Sequence, residues 1–196
     1  MSIPDLPRRA RVLLKPGFLD AATCRAICAE MIAAPGEPGH ISNFAGAQFV
    51  DPTFKRLHAI DITPALAQQA AASLDAARPE LDAHFGTTLG EGEGVTFYRY
   101  AAGDFFAKHQ DTYGGRRASI AVFLNDPAGT AGVTYDGGSL VLFDLFDEPQ
   151  MRNHSVSVPP QAGLLIAFRP ELRHEVTPVV SGTRCDGGAL FLMADG

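Results

Sequence analysis

Residues 95–111 read Val95-Thr96-Phe97-Tyr98-Arg99-Tyr100-Ala101-Ala102-Gly103-Asp104-Phe105-Phe106-Ala107-Lys108-His109-Gln110-Asp111. Val95–Tyr100 is rich in the β-branched and aromatic residues that pack on a pleated surface, and predicts a strand. Phe105 to Asp111 follows the small and polar residues 101–104. In an extended segment, positions i and i+2 project to one side, so His109 and Asp111 can address a single point. Downstream, apolar runs broken by Gly, Pro, Asp and Asn predict strands near Ser119–Leu124, Gly138–Phe143, His154–Val158, Leu164–Phe168, Glu175–Val179 and Ala189–Met193. Short strands at this spacing imply an antiparallel sandwich or barrel.

The chain before this stretch has a different character. Val12-Leu13-Leu14 reads as a short strand. Asp20 is placed to cap a helix over Ala21–Ala33, stopped by Pro35-Gly36. Residues 35–50 are Gly-rich and loop-like, with His40, Asn43 and Phe44. Thr63-Pro64 is a cap with proline at the first helical position, predicting a helix to about Ala77 and a further helical stretch over Pro79–Phe85. The expected fold is therefore mainly β with N-terminal α support. It forms one domain over residues 1–196: residues 1–90 support a jelly-roll-like barrel core at 95–193.

Composition narrows the function classes. The chain has 196 residues, 46% of them apolar, with a formal net charge of −6. That composition suits a packed domain rather than a disordered chain. Arg8, Arg9 and Arg11 are the one basic cluster, too small a footprint for a nucleic-acid backbone. No run of about 20 apolar residues predicts a membrane-spanning helix. Met1 to Arg11 lacks the apolar stretch of a signal peptide. Three scattered cysteines do not read as a disulfide framework, so a reducing cytoplasm is expected. Cys24 and Cys28 share a helix face and read as small buried hydrophobes.

His109 and Asp111 need a third group to make a site. His174, in Phe168-Arg169-Pro170-Glu171-Leu172-Arg173-His174-Glu175-Val176, is the candidate, at a predicted strand start. Two histidines and one carboxylate make the facial triad of non-haem iron(II) oxygenases, which leaves three coordination positions open. Arg184 lies ten residues after His174. A turn at Ser181-Gly182 is expected to run the next strand back beside the one that follows His174, so that Arg184 faces the same interior. A buried guanidinium needs an anionic partner, and a dicarboxylate cosubstrate supplies one.

With these residues in place, the sequence resembles the 2-oxoglutarate/Fe(II)-dependent dioxygenases, in the prolyl 4-hydroxylase-like branch. The likeness covers Val95 to Met193. It rests on the run from Tyr100 to Asp111, on Ser119–Asn125 ending in Phe-Leu-Asn, on Tyr135-Asp136-Gly137-Gly138-Ser139-Leu140, on Pro160–Phe168 leading to His174, and on Arg184. The resemblance implies a double-stranded β-helix, the cupin-like form of the jelly-roll. It implies that His109, Asp111 and His174 ligate ferrous iron and are its catalytic residues. It also implies that 2-oxoglutarate chelates that iron and that Arg184 binds its far carboxylate. Tyr98 and Tyr100 share a strand face, and one of them is implied as a further cosubstrate donor. Some relatives carry a tyrosine at the position of Phe123 for the far carboxylate. Phe123 has no hydroxyl, which leaves Thr183, Ser119 and Tyr98 as substitutes. Dioxygen is the other cosubstrate, and ascorbate is admitted as an accessory reductant.

The implied activity is hydroxylation of an unactivated C–H coupled to decarboxylation of 2-oxoglutarate to succinate. Asp111 favours hydroxylation over halogenation. The expected substrate is a prolyl or other residue of a protein or peptide, with a free amino acid or small metabolite as alternative. A non-catalytic metal-binding sensor barrel and a cupin-like enzyme without 2-oxoglutarate are the rival classes. No nucleic-acid or membrane partner is expected, and the sequence does not disclose an oligomeric state. His40, His58, His84 and His154 read as structural or surface residues, with His40 the nearest to being a site residue. Gly137-Gly138 reads as a positive-φ turn. The pairs Arg116/Arg117 and Arg169/Arg173 are open between surface and site. Loops 35–50, 126–137 and 144–153 are the expected substrate contacts, since variable loops carry specificity.

Overall fold

A computed structural model describes residues 12–42, 47–145 and 154–193. Strand β1 (Val12–Lys15) is followed by helix α1 (Ala21–Ala33). Five short strands come next: β2 (Glu37–Pro38), β3 (Ile41–Ser42), β4 (Gln48–Phe49), β5 (Lys55–Arg56) and β6 (His58–Ile60). Helix α2 (Pro64–Phe85) leads into the long β7 (Leu89–Tyr100), then β8 (Phe105–His109) and β9 (Arg116–Phe123). The rest is β10 (Tyr135–Gly137), β11 (Leu140–Phe143), β12 (Ser155–Ser157), β13 (Leu165–Phe168), β14 (His174–Val176), β15 (Val179–Gly182) and β16 (Arg184–Met193).

Two antiparallel sheets face each other. The major sheet has the order β1-β13-β9-β16-β7-β6-β2, and the minor sheet β12-β11-β14-β8-β5. This is the double-stranded β-helix expected from the sequence. Strand alternation divides the apolar residues between two layers. On β13, Leu165 and Ala167 join the layer that packs under the helices, with Ile27, Met31, Leu74, Leu81 and Phe191. Ile166 and Phe168 point the other way, between the sheets, with Tyr100, Phe123, Leu142 and Val176. Burying each large apolar side chain contributes roughly 1.5–3 kcal/mol. Cys24 and Cys28 are fully buried in the helix-facing layer. Among the described residues, no helix is long and apolar enough to cross a membrane.

Several local readings hold in detail. Asp20 caps α1 by accepting from the Thr23 backbone N–H at 2.8 Å. Gly137 and Gly138 have φ of +73° and +54°. Others are corrected. The helical stretches before and after residue 78 are one helix, α2, with Pro79 inside it. Proline removes one backbone donor there, but the buried stripe Ala70, Leu74, Ala77, Leu81 and Phe85 continues through it, and packing carries the helix past the break. Residues 35–50 are not plain loop; they hold β2, β3 and β4. The strand after Ser181-Gly182 does not run back beside its predecessor. β15 pairs with β10, while β16 crosses to the major sheet between β7 and β9. The chain is pinned at that crossing by the Thr183 N–H donating to Thr134 O at 3.1 Å. Gly182, at φ +76°, sits where a Cβ would lie 2.2 Å from Thr134 O. Arg184 still faces the interior, because both sheets do. Arg8, Arg9, Arg11, Asn43, Phe44 and loop residues 146–153 lie outside the described residues.

Candidate metal centre

Register brings the two histidines together. His109 ends β8 and His174 begins β14, and the two are direct cross-strand partners. Their ring centroids are 4.1 Å apart. Each ring is oriented by the carbonyl two residues before it: His109 Nδ1 lies 2.7 Å from Ala107 O, and His174 Nδ1 lies 2.9 Å from Leu172 O. With Nδ1–H donating to a carbonyl, Nε2 is left as the lone-pair nitrogen, the usual arrangement behind a metal-binding imidazole. Both Nε2 atoms point at Asp111. His109 Nε2 is 3.6 Å from Oδ1, and His174 Nε2 is 3.5 Å from Oδ2.

Asp111 is held from two sides. Its backbone N–H donates to Pro170 O at 2.9 Å, and Ser119 on β9 donates its hydroxyl to Oδ2 at 2.7 Å. The carboxylate thereby ties the minor-sheet histidines to the major sheet. Aromatic rings enclose the cluster. Phe106 stacks on His109 at 3.7 Å and Phe168 meets His174 edge-on at 4.7 Å. Burial and the neighbouring His174 ring push His109 down to about 4, so its imidazole is neutral, the form that binds metals.

The donor set fits a hard-to-borderline divalent ion. The ligand atoms of His109, Asp111 and His174 lie within 4.8 Å of one another, the one such group among the described residues. Cis ligands of an octahedral ion with bonds near 2.1 Å are about 3 Å apart; the two imidazole–carboxylate spacings, 3.6 and 3.5 Å, exceed this by about half an ångström. Two imidazoles and one carboxylate on one face match the iron(II) facial triad.

Arg184 sits deeper in the same interior and is 1% exposed. Its guanidinium is already engaged. Nε donates to Asp186 Oδ1 at 3.0 Å, Nη2 pairs with Asp186 Oδ2 at 2.6 Å, and Nη1 donates to Gly138 O. Three of its five N–H donors are thus used, leaving one on each Nη. Tyr100 and Phe123 lie against the guanidinium, with ring centroids 5.3 and 5.0 Å from Cζ. Tyr135 is beside it: a Cβ on Gly138 would lie 3.3 Å from Arg184 Cδ and 3.8 Å from a Tyr135 ring carbon. Tyr135 Oη is the one buried side-chain polar atom among the described residues that has no hydrogen-bond partner.

The remaining expected residues are placed as follows. Tyr98 is half-buried on the interior face of β7, opposite Asp186, and burial raises its pKa. Tyr100 is buried, and its pKa is raised by burial. The Ser119 hydroxyl is engaged by Asp111. Arg116 pairs with Glu93 at 2.6 Å, Arg169 donates to Phe85 O, and Arg173 pairs with Asp144, so each is engaged by a group outside the triad. The structure adds two residues the sequence reading gave no role. One is Tyr135, whose signal was its place three residues before Gly138. The other is Lys55 on β5, whose isolated sequence context carries no signal.

The comparisons agree with this architecture. Residues 95–186 match the family model described as the 2OG-Fe(II) oxygenase superfamily. A PKHD-type hydroxylase of Phenylobacterium zucineum is 37% identical over 98 residues, covering 45% of this chain and 38% of that protein's length. A Pseudomonas putida prolyl-4-hydroxylase structure superposes with a TM-score of 0.72 at 24% identity, over 95% of this chain and 94% of that one. A Trichoplax adhaerens prolyl hydroxylase, in complex with a hypoxia inducible factor peptide fragment, superposes with a TM-score of 0.70 at 15% identity, over 93% and 84% of the two chains. The family model thus spans the region that holds the His109, Asp111 and His174 cluster, and the likeness to the two prolyl hydroxylase structures shows that the fold is shared.

Proposed function

We propose that the protein is an Fe(II)- and 2-oxoglutarate-dependent dioxygenase that hydroxylates an unactivated C–H. The observation that carries this reading is the convergence of His109, Asp111 and His174 from three chain positions onto one point, two of them by direct strand pairing. Bound there, ferrous iron supplies the activation of dioxygen that, with 2-oxoglutarate as reductant, drives hydroxylation. The chain's own contribution is positional. Ala107 O and Leu172 O fix the imidazole faces, Ser119 turns the carboxylate, and Phe106 and Phe168 keep water from the site.

In this reading the far carboxylate of 2-oxoglutarate is received at the Arg184 end of the interior. The two unused Arg184 donors and the unpartnered Tyr135 hydroxyl supply three hydrogen bonds. Tyr135 then takes the part that a hydroxyl at position 123 plays in some relatives. The substrate is a prolyl or other residue of a peptide, by analogy with the neighbour solved with a peptide fragment. A free amino acid is the second reading. The test is anaerobic addition of Fe(II) and 2-oxoglutarate, followed by succinate release in air. A visible charge-transfer band and succinate formation that need both components are expected. Metal binding with neither response overturns the assignment in favour of a sensor barrel.

A further inference from the structure

Lys55 lies on β5, the edge strand of the minor sheet, paired with β8 at Phe106. It is 8% exposed. Its Nζ sits 4.8 Å from the Tyr98 ring centroid and 4.8 Å from that of Phe106. Phe106 is in turn stacked on His109 at 3.7 Å, so the ammonium flanks the triad at no more than those two spacings together. One of its three donors is accounted for, by His40 O at 3.0 Å. Among the described residues, no carboxylate forms an ion pair with it. Burial lowers its pKa, opposed by the Asp111 charge.

This is an unusual position for a lysine. A buried ammonium is costly unless an anion compensates it. The other buried cation among the described residues, Arg184, is compensated by Asp186. Lys55 instead has two π faces and a carbonyl, which solvate a cation weakly and leave two N–H donors. Tyr98 is the cross-strand partner of Asp186, and its ring faces the Lys55 ammonium.

We propose that Lys55 binds a carboxylate beside the metal centre, one carried by a molecule that enters the triad's open side. The inference rests on the metal-centre reading above, but not on which molecule carries the group. Two sources share the chemistry: the 2-oxoglutarate itself, or the primary substrate. In the second case the substrate is a free amino acid or another small carboxylic acid rather than an internal prolyl residue, whose carboxyl is an amide.

The experiment compares wild type, Lys55→Met and Lys55→Arg, each loaded with Mn(II) so that no turnover intervenes. 2-Oxoglutarate is titrated calorimetrically, and acetate is then titrated into the metal complex with and without saturating 2-oxoglutarate. Loss of a charged hydrogen bond is expected to weaken the affected ligand about ten- to hundredfold in Lys55→Met, with partial recovery in Lys55→Arg. Weakened 2-oxoglutarate identifies the cosubstrate as the source. Unchanged 2-oxoglutarate with weakened acetate identifies the primary substrate. Equal affinities for both ligands in wild type and Lys55→Met overturn the proposal. Lys55→Met is expected to melt no lower than wild type, since it removes a buried charge. A wild type that ignores 2-oxoglutarate while acetate binding still depends on Lys55 breaks the functional reading and keeps this one.

Discussion

The two ends of the barrel interior handle charge in opposite ways. At the triad end, two imidazoles, one carboxylate and one lysine stand close together without forming a closed ion pair. At the deep end, Arg184 and Asp186 form a two-contact ion pair, with a backbone carbonyl on the third side. The first arrangement is held by backbone carbonyls and a serine, and gains nothing from its own charges unless a cation arrives. The second is complete in itself. A group that binds something from solution and a group that stabilises the fold can both be buried and polar. What separates them is whether their donors and acceptors are already used.

The sharpest break in this contrast is at His174. His174→Ala removes one of three ligand atoms and leaves only His109 and Asp111 in the cluster. Fe(II) affinity is expected to fall by more than the roughly 10- to 100-fold seen when only an outer-shell partner is lost. Metal titration of the apoprotein checks it. Folding stability is expected to fall modestly, through the lost hydrogen bond to Leu172 O and the lost packing on Phe168. Retention of stoichiometric iron would refute the ligand assignment.

Asp186 is expected to behave in reverse. Asp186→Ala leaves a fully buried guanidinium with only Gly138 O, and is expected to cost about 3–5 kcal/mol in urea unfolding. The double replacement Arg184→Met with Asp186→Leu should recover much of that loss, because an uncharged pair leaves nothing to compensate. The single variant should bind Fe(II) with wild-type affinity per folded molecule. An Asp186→Ala protein as stable as wild type would show that the pair is not a structural unit.

How much of this contrast was legible in sequence follows from the range of the interactions. His109 and Asp111 are two apart, and period-two geometry is local, so their convergence was readable from strand pattern alone. His174 was placed by order and spacing, but its direct pairing with His109 depends on sheet register, which no local pattern fixes. The β16 crossover shows the same limit: Ser181-Gly182 reads as a turn, yet whether the next strand returns or changes sheet depends on the contact with Thr134. Pro79 reads as a break until the buried face on either side of it is known. Asp186 lies before the predicted strand Ala189–Met193 and drew no reading; only the longer β16 puts it on the same face as Arg184, two residues before it. Lys55 was invisible because its neighbours in space, Tyr98, Phe106 and His40, are all distant in the chain.

The smallest expected effect lies where the two ends meet. Ser119 belongs to β9 of the major sheet, and its hydroxyl fixes Asp111 Oδ2 from there. Oδ1, nearer His109, is then the oxygen free to turn toward a metal. Ser119→Ala removes one hydrogen bond and little volume at a site that is 1% exposed. The Asp111 backbone bond to Pro170 O survives, so the carboxylate gains rotational freedom without leaving the cluster. Fe(II) affinity is expected to drop about tenfold, the lower end for loss of an outer-shell partner. Unfolding free energy is expected to change by about 1 kcal/mol. Metal titration and urea unfolding of the same variant separate the two. If affinity is unchanged while stability falls, Ser119 braces the two sheets and does not orient the ligand. If affinity falls alone, the hydrogen bond acts on the metal centre, and the major sheet shares in building a site whose histidines both come from the minor one.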